Sequence, residues 1–261
     1  MTFFSKIFRT SPRRDAPARP AGPAGYRAYA VGDVHGRLDL LDEILDKIER
    51  DNSSRPTARI LIVFLGDLID RGPASAQVVE RLRTYQVKGV MTVFLSGNHE
   101  EVMLRVLAGE QDLLADWMKF GGAECVASYG LDPVVLEAMG GEDAIRMIRD
   151  IIPKTHQDFL GGFADTFRFG DYLFVHAGIR PGLKIADQAQ ADLRWIRQPF
   201  LDDANDHGFV VVHGHTICDQ VDERPNRIGL DTGAYRTGIL TALAVEGRER
   251  WILDTAPAVL A

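Results

Sequence analysis

Asp33 and His35 in GDVHG, Asp67, Asp70 and Arg71 in GDLIDRG, Asn98 and His99 in GNHE, His176 in HAGI, and His213 and His215 in VHGHT all follow apolar runs and stand beside glycine. Carboxylate, imidazole and amide oxygen together suit borderline or hard divalent ions such as Mn, Fe or Zn rather than a soft thiolate metal. These are more ligands than one ion needs. Two divalent ions ~3.5 to 4 Å apart, bridged by a carboxylate and a water, would use them, and that arrangement serves in-line displacement at phosphorus. One strand-end Asp or buried His is usually just a hydrogen-bonded core group. It is the succession of GD, GD and GN, each after a buried strand, that points to a metal site.

The runs that carry these residues, AYAVGD, ILIVFLGD, VMTVFLSGN, YLFVHAG and FVVVHGH, read as buried strands. In open α/β sheets the ligand site lies beyond the carboxyl ends of the strands, where loops bring distant positions together. Between the first strands, RLDLLDEILDKIER puts Leu38, Leu41, Leu45 and Ile48 on one helical face, and SAQVVERLRTY does the same with Val78, Val79 and Leu82. Strand and helix in alternation predict a parallel sheet with right-handed crossovers. From about residue 100 to 165 the pattern is mostly helical, a predicted insertion beside the active face that would shape substrate access. The tail, RIGLDTGAYRTGILTALAVEGRERWILDT, reads as antiparallel strands of a second sheet packed on the first.

The chain has 261 residues, with a formal charge of -7. That suits one large α/β domain and argues against a protein that grips nucleic acid or anionic lipid through its net field. Cys125 and Cys218 show no CxxC spacing, which speaks against a disulfide framework or structural zinc and for a reducing cytoplasm. No stretch approaches the ~18 to 20 apolar residues of a membrane span, so stable membrane insertion is not expected. Residues 1–25, basic and then rich in Pro, Ala and Gly, read as a disordered leader ahead of a single catalytic domain at 26–261.

The ordered series GDVHG, GDLIDRG, GNHE, HAGI and VHGHT resembles the motifs of the phosphoprotein phosphatase family of calcineurin-like metallophosphoesterases, in its bacterial serine/threonine phosphatase branch. The resemblance runs from residue 32 to residue 215 and implies an α/β fold, a four-layer αββα β-sandwich with a dinuclear metal site at its strand ends. It implies Asp33 and His35 as ligands of the first ion, Asp67 as the bridging carboxylate, and Asn98, His176 and His215 as ligands of the second. Of these, a carboxylate alone readily gives one oxygen to each ion, and an amide oxygen binds without adding charge. His213 would share a strand face with His215 and support the ligands from behind. Two ions would bring the pKa of a shared water towards neutrality, giving a bridging hydroxide for attack. His99 would protonate the leaving alkoxide, held in its charged form by Asp70. Arg71 offers a planar fork to phosphate oxygens beside Asn98, and the WIR run offers Arg197 as a second arginine, with Arg194 structural. Asp231, in LDTGA, reads as a turn cap or as a group that orients a ligand histidine.

Two substrate classes share these motifs. Asp70 before Arg71, and GNHE rather than GNHD, resemble the protein phosphatases, so phosphorylated proteins are the expected substrates. Symmetrical dinucleoside tetraphosphates, or other small phosphoesters, are the alternative. Mn is the expected metal, with Fe and Zn compatible with the same donors.

Overall fold

The computed structural model describes residues 19–257; residues 1–18, most of the predicted leader, lie outside the described residues. The remainder of that leader is tied to the body of the protein. The Gly22 amide donates to Gly247 O at 2.7 Å and the Ala21 amide to the Asp171 carboxylate at 2.9 Å.

The chain opens with β1 (Tyr26–Val31), α1 (Leu38–Ser53), β2 (Arg59–Phe64), α2 (Ser75–Arg83) and β3 (Val90–Phe94). As the alternating pattern predicts, β1, β2 and β3 pair in parallel. A helical stretch follows: α3 (Asn98–Ala108), α4 (Leu114–Trp117), α5 (Ala123–Ser128), α6 (Pro133–Glu137), α7 (Gly141–Ile151) and α8 (Lys154–Gly161). The remaining elements are β4 (Thr166–Phe169), β5 (Tyr172–Val175), α9 (Gln190–Trp195), β6 (Val210–His213), β7 (Asp222–Glu223), β8 (Arg227–Gly229), α10 (Ala234–Thr237), β9 (Thr241–Glu246) and β10 (Glu249–Asp254).

Two five-stranded mixed sheets result, ordered β10-β9-β1-β2-β3 and β4-β5-β6-β8-β7. Each strand of the first sheet divides its side chains between two apolar layers, because successive residues point to opposite faces. Ala28, Ala30, Leu61, Val63, Leu243 and Val245 face the second sheet, where Phe174, Val210, Val212 and Ile228 meet them. Tyr29, Val31, Ile60, Ile62 and Phe64 face outward and are covered by α1, α2 and the helical stretch. On the far side, Leu173, Val175 and Val211 pack under Leu193, Ile196 and Phe200. The layering is therefore helix, sheet, sheet, helix, as expected. Phe174 is fully buried between the sheets, so Phe174→Ala should lower the unfolding free energy by about 3–5 kcal/mol in a denaturant titration.

The tail corrects the sequence reading. Of its strands only β8 enters the second sheet; β9 pairs antiparallel with β1, and β10 closes that first sheet at its edge. The reason is burial on both faces. Ala242 and Ala244 point to the helical layer while Leu243 and Val245 point between the sheets, a pattern suited to an inner strand of the first sheet.

Candidate metal centre

The strand ends converge. Among the described residues, five other than glycine adopt positive φ, and all lie in the motif loops: His35 (45°), Asp67 (49°), Asp70 (72°), Arg71 (66°) and His215 (62°). Such backbone is strained for a residue with a side chain and persists only where the surroundings over-determine it. Here it turns each side chain off its strand axis toward a common point. Two glycines allow the loops to close. A Cβ on Gly214 would strike Asp33 Oδ1, and one on Gly97 would strike Asp67 Oδ1.

Asp67 sits between two groups of imidazoles. Its Oδ2 lies 3.6 Å from His35 Nε2 and 3.9 Å from His99 Nε2, while its Oδ1 lies 3.5 Å from His176 Nε2. The donor atoms of His35, Asp67 and His99 form one cluster, and those of Asp67, His176 and His215 another, with Asp67 common to both. Asn98 Oδ1 joins the second, 3.0 Å from His176 Nε2 and 2.8 Å from His215 Nδ1. Asp33 meets the His215 amide through Oδ2 at 2.9 Å, and its Oδ1 is buried without a partner.

These residues suit a pair of divalent ions. His35 Nδ1 donates to Ile69 O and His176 Nδ1 to Leu65 O, both at 2.8 Å, which leaves each Nε2 lone pair directed inward. His215 Nε2, like Asp33 Oδ1, is buried with no hydrogen-bond partner. Burial lowers the pKa of His35 and His176, and takes His215 down to about 3, so the imidazoles are neutral at pH 7. Burial alone would raise Asp67, but the surrounding histidines outweigh it and hold its carboxyl below the usual range. A neutral imidazole and an ionised carboxylate are the states in which these groups bind metal.

Beside this cluster, His99 Nδ1 donates to Asp70 Oδ2 at 2.6 Å. Burial works against a charged His99, yet the charge of Asp67 and the hydrogen bond to Asp70 prevail and raise its pKa. The Trp117 indole N–H also donates to Asp70 Oδ2, at 3.0 Å, and the Asp70 amide donates to Ser75 Oγ at 2.9 Å. Arg71 Nη1 donates to His35 Nε2 at 2.8 Å, and its guanidinium lies 4.9 Å from the ring of Tyr235. Its amide donates to Gly121 O at 3.1 Å, so the kink between α4 and α5 docks directly on the GDLIDRG loop. Arg197 lines the pocket in front of Asp67 and His215. Arg194 instead donates to Asp165, at 2.6 Å from Nη2.

Of two other polar residues, His213 stands differently from its sequence reading and Asp231 does not. His213 and His215 do not share a face: β6 ends at His213, and the positive φ of His215 swings its ring toward His176, with centroids 5.2 Å apart. His213 packs edge-on to Phe200 at 5.2 Å, and burial takes its pKa down to about 4. Asp231 does cap its turn, accepting from the Gly233 amide at 2.8 Å. It also lies against Asp33, and burial pushes its carboxyl up to about 6.

Sequence reasoning gave no role in the site to Trp117, Phe120 and Tyr235, nor to Trp195 of the WIR run or Glu100 of GNHE. Glu100 occupies the third position of α3 and reaches back to the Gly97 amide at 2.9 Å, the acidic half of a capping box, and that helix-start pattern could have singled it out.

The calcineurin-like phosphoesterase family model matches residues 26–235. The chain belongs to the calcineurin-like phosphoesterase family. It is 28% identical, over 82% of its length and 87% of the relative's, to an asymmetrical bis(5'-nucleosyl)-tetraphosphatase of Halalkalibacterium halodurans. It is 24% identical to a symmetrical bis(5'-nucleosyl)-tetraphosphatase of Methylobacillus flagellatus, over 88% of this phosphoesterase and 96% of the relative. A solved structure provisionally described as a diadenosine tetraphosphatase superposes with a TM-score of 0.60 at 20% identity, covering 91% of this chain and 100% of that one. The metallophosphoesterase assignment therefore stands, whereas the expected protein-phosphatase branch finds less support in these relatives than the dinucleotide alternative. Among the described residues no helix is long and apolar enough to cross a membrane, and both cysteines are free thiols.

Proposed function

We propose that this phosphoesterase hydrolyses dinucleoside polyphosphates, with two divalent ions, Mn foremost, held by Asp33, His35, Asp67, Asn98, His176 and His215. The observation that carries the reading is the shape of the pocket over the metal centre. It has a volume of about 480 Å³ and is lined by Asp67, Arg71, His99 and Arg197 together with Trp117, Phe120 and Trp195. Phe120 (59% exposed) and Trp195 (41% exposed) come from the two opposite helical layers and leave aromatic surface open to a ligand. An aromatic plane beside a phosphate site suits a nucleobase, whose stacking on an aromatic side chain is worth about 1–3 kcal/mol. The names of the relatives support the same class of substrate.

When bound, the ions supply an activated water and draw charge from the phosphate. The remaining work belongs to side chains. His35 Nε2, bonded here to Arg71, would be a ligand to one ion, and the Arg71 fork would then be free for phosphate oxygens, with Arg197 as the second cation of the pocket. His99, held by Asp70, gives a proton to the leaving oxygen, and Trp117 fixes Asp70 from behind.

The test is turnover with Mn of diadenosine tetraphosphate against phosphoserine and phosphothreonine peptides. The dinucleotide should win by a large factor in kcat/KM; preference for the peptides would restore the protein-phosphatase reading. Phe120→Ala and Trp195→Ala should each raise KM for the dinucleotide by about tenfold, the lower part of the stacking range, and leave KM for p-nitrophenyl phosphate nearly unchanged.

A further inference from the structure

Glu100 is completely buried, next in sequence to His99, and belongs to neither imidazole cluster. Its two oxygens are spent on backbone. Oε2 accepts from the amides of Gly97 and Asp67, both at 2.9 Å. Oε1 accepts from the Leu68 amide at 2.8 Å, with the Ile69 amide at 3.4 Å. One side chain thus joins the loop after β3, which leads into Asn98 and His99 at the start of α3, to the loop after β2, which carries Asp67. The joined backbone includes a strained residue, since Asp67 sits at φ 49°.

We infer that Glu100 is the positioning residue of the bridging carboxylate: it clamps the Asp67 loop onto the start of α3 and so sets where Asp67 stands relative to Asn98 and His99. The inference rests on the dinuclear reading. The chemistry demands a carboxylate. Every neighbour of Glu100 in this bond set is an N–H donor, so both of its oxygens are held as acceptors. A glutamine in its place fails whichever way its amide turns, because its NH₂ then faces either the Gly97 and Asp67 amides or the Leu68 amide. An aspartate keeps both acceptors but is one methylene short of spanning the two loops.

The experiment is calorimetric titration of the metal-free full-length protein with Mn²⁺, alongside kcat and KM on p-nitrophenyl phosphate at several Mn²⁺ concentrations. Wild-type protein that binds no Mn²⁺ would overturn the dinuclear reading itself; two equivalents bound leaves the role of Glu100 to the variants. Glu100→Gln should weaken Mn²⁺ binding by roughly 10–100-fold, the range for loss of an outer-sphere partner. Its kcat should fall at low Mn²⁺ and recover in part with excess, with KM little changed. Glu100→Asp should fall between the two, and it provides the same comparison if the glutamine variant does not fold. Leu136→Ala, a buried position in α6 remote from the site, serves as a control of lowered thermal stability. Equal loss of Mn²⁺ affinity in that control would reduce Glu100 to a stability role, and wild-type affinity with wild-type kcat in Glu100→Gln would refute the inference.

Discussion

Asp67→Asn is expected to remove bound metal and turnover together. The two oxygens of Asp67 face different imidazole groups, Oδ2 toward His35 and His99 and Oδ1 toward His176. An asparagine keeps one oxygen and replaces the other by an NH₂ group, which cannot be a ligand and would point a donor at one of the two ions. It also deletes the carboxylate that the two histidine clusters share. The loss should exceed the roughly 10–100-fold typical of an outer-sphere partner, because the residue removed is the one proposed as a ligand to both ions. Metal analysis of the purified variant beside its kcat/KM checks this. An active variant with a full complement of metal would mean that Asp67 does not bridge.

His99→Asn separates proton donation from metal binding. The imidazole is hydrogen-bonded to Asp70 at 2.6 Å, and Asp67 and Asp70 raise its pKa despite burial. It is therefore more protonated near neutrality than an ordinary histidine. A positioned general acid contributes typically about 10²–10⁴-fold, and most where the leaving group is a poor one. Turnover of an alkyl ester such as phosphoserine should fall by that amount, whereas p-nitrophenyl phosphate, whose leaving group hardly needs a proton, should lose less than about tenfold. A dinucleotide, which leaves as a phosphate, should resemble the aryl ester more than the alkyl one. The sign of the pH effect follows from the raised pKa: wild-type activity on the alkyl ester is retained below it and declines as pH rises through a value above the ordinary 6.5. His99→Asn should abolish that decline. Equal losses on alkyl and aryl substrates would assign His99 to the metal site, where its Nε2 already lies 3.9 Å from Asp67.

The protein-phosphatase expectation rested on two small features, Asp70 before Arg71 and Glu rather than Asp after GNH. Both features turn out to have local duties. Asp70 holds His99 and receives Trp117, and Glu100 ties two loops together. Neither touches the part of the pocket where substrates of the two classes would differ. In the proposed reading that part is made by Phe120, from the kink between α4 and α5, and Trp195, from α9.

The metallophosphoesterase family and the address of the candidate site were legible in the sequence. Each proposed ligand follows a strand within a few residues, so strand, glycine and ligand can be read together in one short window. The parallel order of β1, β2 and β3 was legible for a similar reason, since helices separate them in sequence. The tertiary structure alone decided the rest, because those contacts join positions that no periodicity links. β9 had to find β1 across most of the chain, Trp117 to reach Asp70, Gly121 to meet Arg71, and Glu100 to gather the amides of the loop ahead of it. His213 and His215 show the limit most plainly. Two residues apart on an ideal strand they would share a face, but a positive φ at His215 sends one to the metal centre and leaves the other against Phe200.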